Sequence, residues 1–323
     1  RPIAPQAPDL LTSVSWGVSG TSWPQDVHHV SWSYYPLAAD LPNGSGRSKA
    51  LYTIPARSSG NGYIDESHIY FSSSMPVVSE MRESAGVGGG ELQRVFSYSE
   101  AMYNTQGRGF RGFRSVDEDN LAKGTRTHTV FAQKFPMSGV AECSQTTLIN
   151  STSAPCDEVT LEVGEIVASG APIQIQPPTP LPPGSTTPLI VARVASDTAT
   201  TCAGIGGDAG KSCTFIRERQ RSTQQYDLNG GWLMSASTST SDYDAVGNVV
   251  DTLAQKRDYI APGKELAVHT ASVHSEFAPE TDGWWLDRAQ SRTTTSSVEY
   301  GPDHASPVAG STSMRTKCTV LLL

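Results

Sequence analysis

Residues 243–250 read Tyr243-Asp244-Ala245-Val246-Gly247-Asn248-Val249-Val250, and this octet constrains the fold more than any other stretch. Gly247-Asn248 is a hairpin signal, because both residues tolerate the positive φ that a primed two-residue turn demands. Tyr243 before it and the Val pair after it supply aromatic and β-branched side chains that suit a pleated surface. The octet predicts strand, tight turn, strand, with Tyr243, Asp244, Gly247 and Asn248 as a structural motif. Such a chain stacks hairpins.

The flanking sequence has the same period. Leu11-Thr12-Ser13-Val14-Ser15-Trp16 and residues 30–35 alternate apolar and polar positions, as half-buried strands do. The alternation is cleanest over residues 125–135, where Thr recurs at every second position from Thr125 to Thr129. Further strands are expected over 63–71, 77–82, 92–98, 189–194, 214–221, 232–240, 246–253, 264–273 and 292–300. Abundant Ser and Thr, with 29 Gly and 21 Pro in 323 residues, suit short strands and punctuating turns better than long helices. The expected fold class is all-β, made of twisted antiparallel hairpins.

Charge and hydropathy exclude several classes. A net charge of −8 with scattered Lys and Arg gives no clustered basic surface for nucleic acid or an anionic membrane. No stretch approaches the ~20 apolar residues of a membrane-spanning helix. The acidic run Asp117-Glu118-Asp119 reads as a solvated turn, since it lacks the spaced oxygen ligands of a calcium loop. The chain starts at Arg1 with no basic and apolar leader, and is expected to be a piece of a longer protein.

None of the cysteines, Cys143, Cys156, Cys202, Cys213 and Cys318, forms a Cys-x-x-Cys pair, which argues against zinc. The first four fall into two local pairs, 143/156 and 202/213, each bracketing a polar loop. They are expected to staple those loops as disulfides, with buried free thiols as the alternative. Disulfides imply an oxidising compartment, so the expected location is secreted or cell-surface. Residues 171–188 are dense in Pro and cannot feed a ladder with N–H donors. The expected organisation is a β-rich region over 1–142, a cysteine- and proline-rich insertion over 143–222, and hairpins over 223–323.

Gly107-Arg108-Gly109-Phe110-Arg111-Gly112 is a literal G-x-G-x-x-G. A dinucleotide site needs that string to open a helix whose N-terminus meets the pyrophosphate. Here Phe113-Arg114-Ser115-Val116-Asp117 follows, strand-like and then turn-like. Gly107, Gly109 and Gly112 are therefore read as structural, letting Phe110 and Phe113 pack while the backbone bends. His28-His29 would diverge on a strand, and His269 and His274 would lie on opposite faces. Asn43-Gly44-Ser45 and Asn150-Ser151-Thr152 match glycan acceptors. There is no His-Glu-x-x-His, no Gly-x-Ser-x-Gly and no Walker loop. No catalytic, cofactor or metal residue is expected, and the chain is read as a non-enzyme.

Several strings in order resemble one family. The Gly107–Arg114 block precedes the Thr-rich strand at 125–135 and then Phe135-Pro136-Met137-Ser138-Gly139-Val140. This order is similar to Rhs/YD-repeat proteins, notably the B component of insecticidal Tc toxins and SpvB-like relatives. The Tyr243-Asp244 octet, Asp282-Gly283-Trp284-Trp285-Leu286-Asp287-Arg288, and Leu10-Leu11-Thr12-Ser13-Val14-Ser15 resemble further segments. The resemblance implies part of a hollow Rhs-type β-shell that encloses a toxic polypeptide and has no active site of its own. Its implied partners are other segments of that shell, the enclosed payload and a Tc-A-like translocation subunit. Residues 143–222 depart from the family, and the Asp-Pro motifs of its self-cleaving core are missing. The alternatives from other classes are a secreted β-rich adhesion or cell-wall binding protein, and a hydrolase on a β scaffold.

Overall fold

The computed structural model describes residues 10–16, 28–38, 49–54, 63–65, 67–85, 90–151, 189–200, 214–227, 231–244, 247–278, 289–301 and 314–321. Among these residues there are strands and turns, and no helix. The chain divides into two compact units, Arg1–His128 and Thr129–Leu323. The all-β expectation holds.

In the first unit lie β1 (Ser13–Trp16), β2 (His28–Pro36), β3 (Tyr52–Thr53), β4 (Tyr63–Asp65), β5 (His68–Tyr70), β6 (Pro76–Ser84), β7 (Glu91–Ser99), β8 (Met102–Asn104), β9 (Gly109–Phe110) and β10 (Ser115–Asn120). The next strand, β11 (Thr125–Phe131), runs across the division. The main sheet of this unit has the order β1-β2-β6-β7-β10, with β3 lying parallel to β7, and β4-β5-β8-β9 form a small second sheet. Its core is Leu37, Leu51, Val77 and Ala101, against which Tyr52, Phe71, Met75, Tyr98 and Phe113 pack. Tyr52 is tied in at both ends: its hydroxyl donates to the Phe71 carbonyl at 2.7 Å and accepts from the Ala101 N–H at 3.1 Å. A buried phenol needs such partners.

The second unit holds β12 (Ala141–Leu148), β13 (Ile190–Thr200), β14 (Thr214–Tyr226), β15 (Leu233–Tyr243), β16 (Val249–Ala261), β17 (Lys264–Phe277), β18 (Ala289–Tyr300) and β19 (Met314–Leu321). Their order in the sheet is their order in the chain, and every pair is antiparallel. Hairpin follows hairpin. β15 presents Ser235, Ser237, Ser239 and Ser241 to one face and Ala236, Thr238 and Thr240 to the other, because successive residues alternate across a strand. β18 does the same with Thr294 and Ser296 against Thr293, Thr295 and Ser297. Among the described residues of β12 to β18, those buried are Cys143, Gln145, Gln220 and Ala267.

The described parts of 143–222 belong to this ladder: β13 pairs with β12 on one side and β14 on the other. The expected boundary at 142 falls inside β12. The Pro-dense stretch at 171–188 lies outside the described residues.

Candidate functional site

The Tyr243-Asp244 turn joins β15 to β16. The expected two-residue turn at Gly247-Asn248 is corrected to a wider connection from Asp244 to Asn248, with β16 starting at Val249. Asp244 is the cause. Its N–H donates to the Asn248 carbonyl at 3.0 Å, while its carboxylate accepts from the Asn248 N–H at 2.8 Å and from the Asn248 side-chain amide at 2.9 Å. One side chain thus closes the loop on two donors, as Asx side chains do in turns. Gly247 takes φ +100°, whereas Asn248 stays out of the positive-φ region. The Tyr243 hydroxyl donates to the Glu218 carbonyl on β14 at 2.9 Å. Motif and neighbouring strand are bolted together, and the Glu218 carboxylate beyond is gripped by Arg221 through two 2.8 Å hydrogen bonds. Those bonds hold the Glu218 carboxyl below its ordinary value against a smaller opposing effect of burial.

The glycine block lies on β9 and the turns around it. Gly107, Gly109 and Gly112 have φ of +97°, +68° and +90°, a region L side chains rarely adopt. Between β8 and β9 the Asn104 side-chain oxygen accepts from the Gln106 and Arg108 N–H groups, at 3.1 and 3.3 Å. Beyond β9 the chain folds back, with Met102 N–H donating to Gly112 O at 3.0 Å and Arg111 N–H to Met102 O at 2.8 Å. These bends set Phe110 5.1 Å from Phe71 and Phe113 4.6 Å from Tyr98, centroid to centroid. Strand β10 follows the block, so no helix N-terminus faces it.

The structure overturns the expectation for Asp117-Glu118-Asp119. These residues form strand β10, and the turn comes after it, at residues 121–124. Asp117 and Asp119 are 8% and 5% exposed. Asp117 accepts from Lys49 Nζ and His128 Nδ1, each at 2.8 Å, and Asp119 takes a two-pronged contact from Arg126 at 2.6 and 2.7 Å. Burial pushes the Asp117 carboxyl up, but the hydrogen bonds from His128 and Lys49 and their charges outweigh it, leaving it below the ordinary range. The Arg126 guanidinium is held protonated even more firmly by Asp119. Buried carboxylates survive only when paired in this way. The signal was present: acids at 117 and 119 and bases at 126 and 128 share the strand period and flank a turn.

The remaining candidates are dispersed. Cys143 is buried on β12 and disulfide-bonded. Cys156, Cys202 and Cys213 lie outside the described residues, as does Asn43. His28 stacks on Trp16 with centroids 5.9 Å apart, and His29 meets Glu91 at 3.2 Å. His269 and His274 contact Asp258 at 3.4 Å and Asp251 at 2.7 Å. Among the described residues no group of His, Cys, Asp and Glu is arranged to hold a metal ion, and no helix is long and apolar enough to cross a membrane. What the residues build is a set of turn locks and cross-strand pairs.

No family model matches the sequence, and no curated protein matches it. Among solved structures the chain is similar to a chain of the crystal structure of TcdB2-TccC3-Cdc42, with 11% identity and a TM-score of 0.49. The match covers 84% of this chain and 14% of that one, so this chain spans about a seventh of its neighbour's length.

Proposed function

We propose that this chain is a non-catalytic wall segment of an Rhs/Tc-type toxin-delivery protein, secreted or at the cell surface, that encloses or transfers a toxic payload. One observation carries the reading: β12 to β19 form an antiparallel ladder in strict chain order, in which β15 and β18 carry hydroxyl and small side chains on both faces. A sheet that packs into a sandwich core needs one apolar face. A wall between an aqueous lumen and the outside has water on both sides and needs none. The Gly107–Arg114 block and the Tyr243-Asp244 turn support the same reading from sequence. In this role Asp244, Tyr243 and the glycines fix wall curvature and loop closure, and chemistry belongs to the payload. The partners are other segments of the shell, the enclosed polypeptide and a Tc-A-like translocation subunit.

Electron cryo-microscopy of the longest polypeptide containing this chain tests the proposal. The expected map has β12–β19 as contiguous wall of a hollow shell with density for a second polypeptide segment inside. A solid core against either face of the ladder would refute it.

A further inference from the structure

Among the described residues strand β1 lies at the edge of its sheet. Among the described residues its ladder neighbour is β2, with Ser13 opposite Ser31, Val14 opposite Val30 and Trp16 opposite His28. The Thr12 carbonyl accepts from the Trp32 N–H at 2.8 Å, so the peptide groups of Thr12 face β2. Alternation then turns the N–H and C=O of Ser13 and Ser15 away from β2. Leu10, Thr12, Val14 and Trp16 share one face of the strand. Leu11, Val14 and Trp16 are 60%, 39% and 51% exposed. Edge strands are normally guarded by charge or Pro. Here no charged residue occurs between Asp9 and Asp26.

We propose that β1 is a homotypic docking edge: it pairs antiparallel with β1 of a second copy of this chain, centred on Ser13. The strand is complementary to itself in that register. Leu10 falls opposite Trp16 and Thr12 opposite Val14, each twice about the two-fold axis, and such aromatic–aliphatic and β-branched pairs stabilise a ladder. The outward groups of Ser13 meet each other, completing the hydrogen bonds the edge offers. No like charges oppose the pairing. The residues preceding β1 include Pro2, Pro5 and Pro8, which cannot donate to a ladder. The self-complementary register makes a second copy the occupant the edge fits.

Sedimentation velocity on the whole chain over a concentration series tests this. The wild type is expected to convert from monomer to dimer. Ser13→Pro removes an outward N–H while leaving the groups that face β2, and should weaken association at least tenfold. Val14→Lys sets cations on the same edge and should do likewise by an independent route. Circular dichroism confirms that the variants keep the wild-type strand spectrum. A wild type that stays monomeric throughout overturns the proposal. So does association that survives both substitutions, including open-ended growth through β19.

Discussion

At the residue scale, a few polar side chains close what the backbone leaves open. Asp244 satisfies two donors of Asn248 at once. Asp244→Ala should therefore cost about 1–2 kcal/mol in a urea titration, with Asp244→Asn losing less because its remaining acceptor oxygen keeps one of the two bonds. Gly109 is needed for conformation and not for space: a Cβ there would meet nothing closer than the Tyr103 ring edge at 4.0 Å, but φ is +68°. Gly109→Val should destabilise by about 2 kcal/mol, since a β-branched side chain in the left-handed region is strained. Asp117 contributes to the pH response alongside Glu218. Its folded carboxyl lies below the unfolded value, so its stabilisation is complete above about pH 4 and is lost as pH falls further, through the depressed folded value. Denaturation midpoints measured from pH 7 to pH 2 should show that fall, and Asp117→Asn should flatten it while costing about 3 kcal/mol at neutral pH.

At the element scale, period-two patterning made most strands legible and their ends much less so. The Thr-rich strand was expected to reach Phe135 but stops at Phe131, where Ala132 exchanges hydrogen bonds with Gly139 and Val140 and the chain enters a loop. Phe135 is apolar and keeps the alternation going on paper, yet it is exposed. β10 is illegible in the sequence because three consecutive acids look like solvent-facing residues until their partners, Lys49, Arg126 and His128, are placed. The turn between β15 and β16 is wider than its sequence suggests for a related reason: side-chain hydrogen bonding by Asp244 competes with the backbone-only turn of Gly247-Asn248. The disulfide expectation belongs to this scale too. Peptide mapping of secreted protein without reductant should recover Cys143 joined to Cys156 and Cys202 joined to Cys213; each closes a loop of about a dozen residues, worth roughly 3 kcal/mol. Free thiols at these positions would contradict it.

At the scale of the molecule, the two units are built on different physics. The first has an apolar core around Leu37, Leu51, Val77 and Ala101. The second is a ladder in which β15 and β18 carry Ser and Thr on both faces, and strand pairing and cross-strand contacts such as Asp251 with His274 hold it together. A ladder of that kind suits the proposed boundary between two wet spaces. The central claim is that β12–β19 separate an enclosed lumen from the exterior, and size-selective labelling addresses it most directly. Ser239→Cys and Thr240→Cys place thiols on opposite faces of β15, in the longest polypeptide containing this chain. A small maleimide should modify both positions, and a bulky polymer-linked maleimide only one of them. Modification of both by the bulky reagent would mean an open sheet, and protection of either from the small one would mean a packed core; both results contradict the wall.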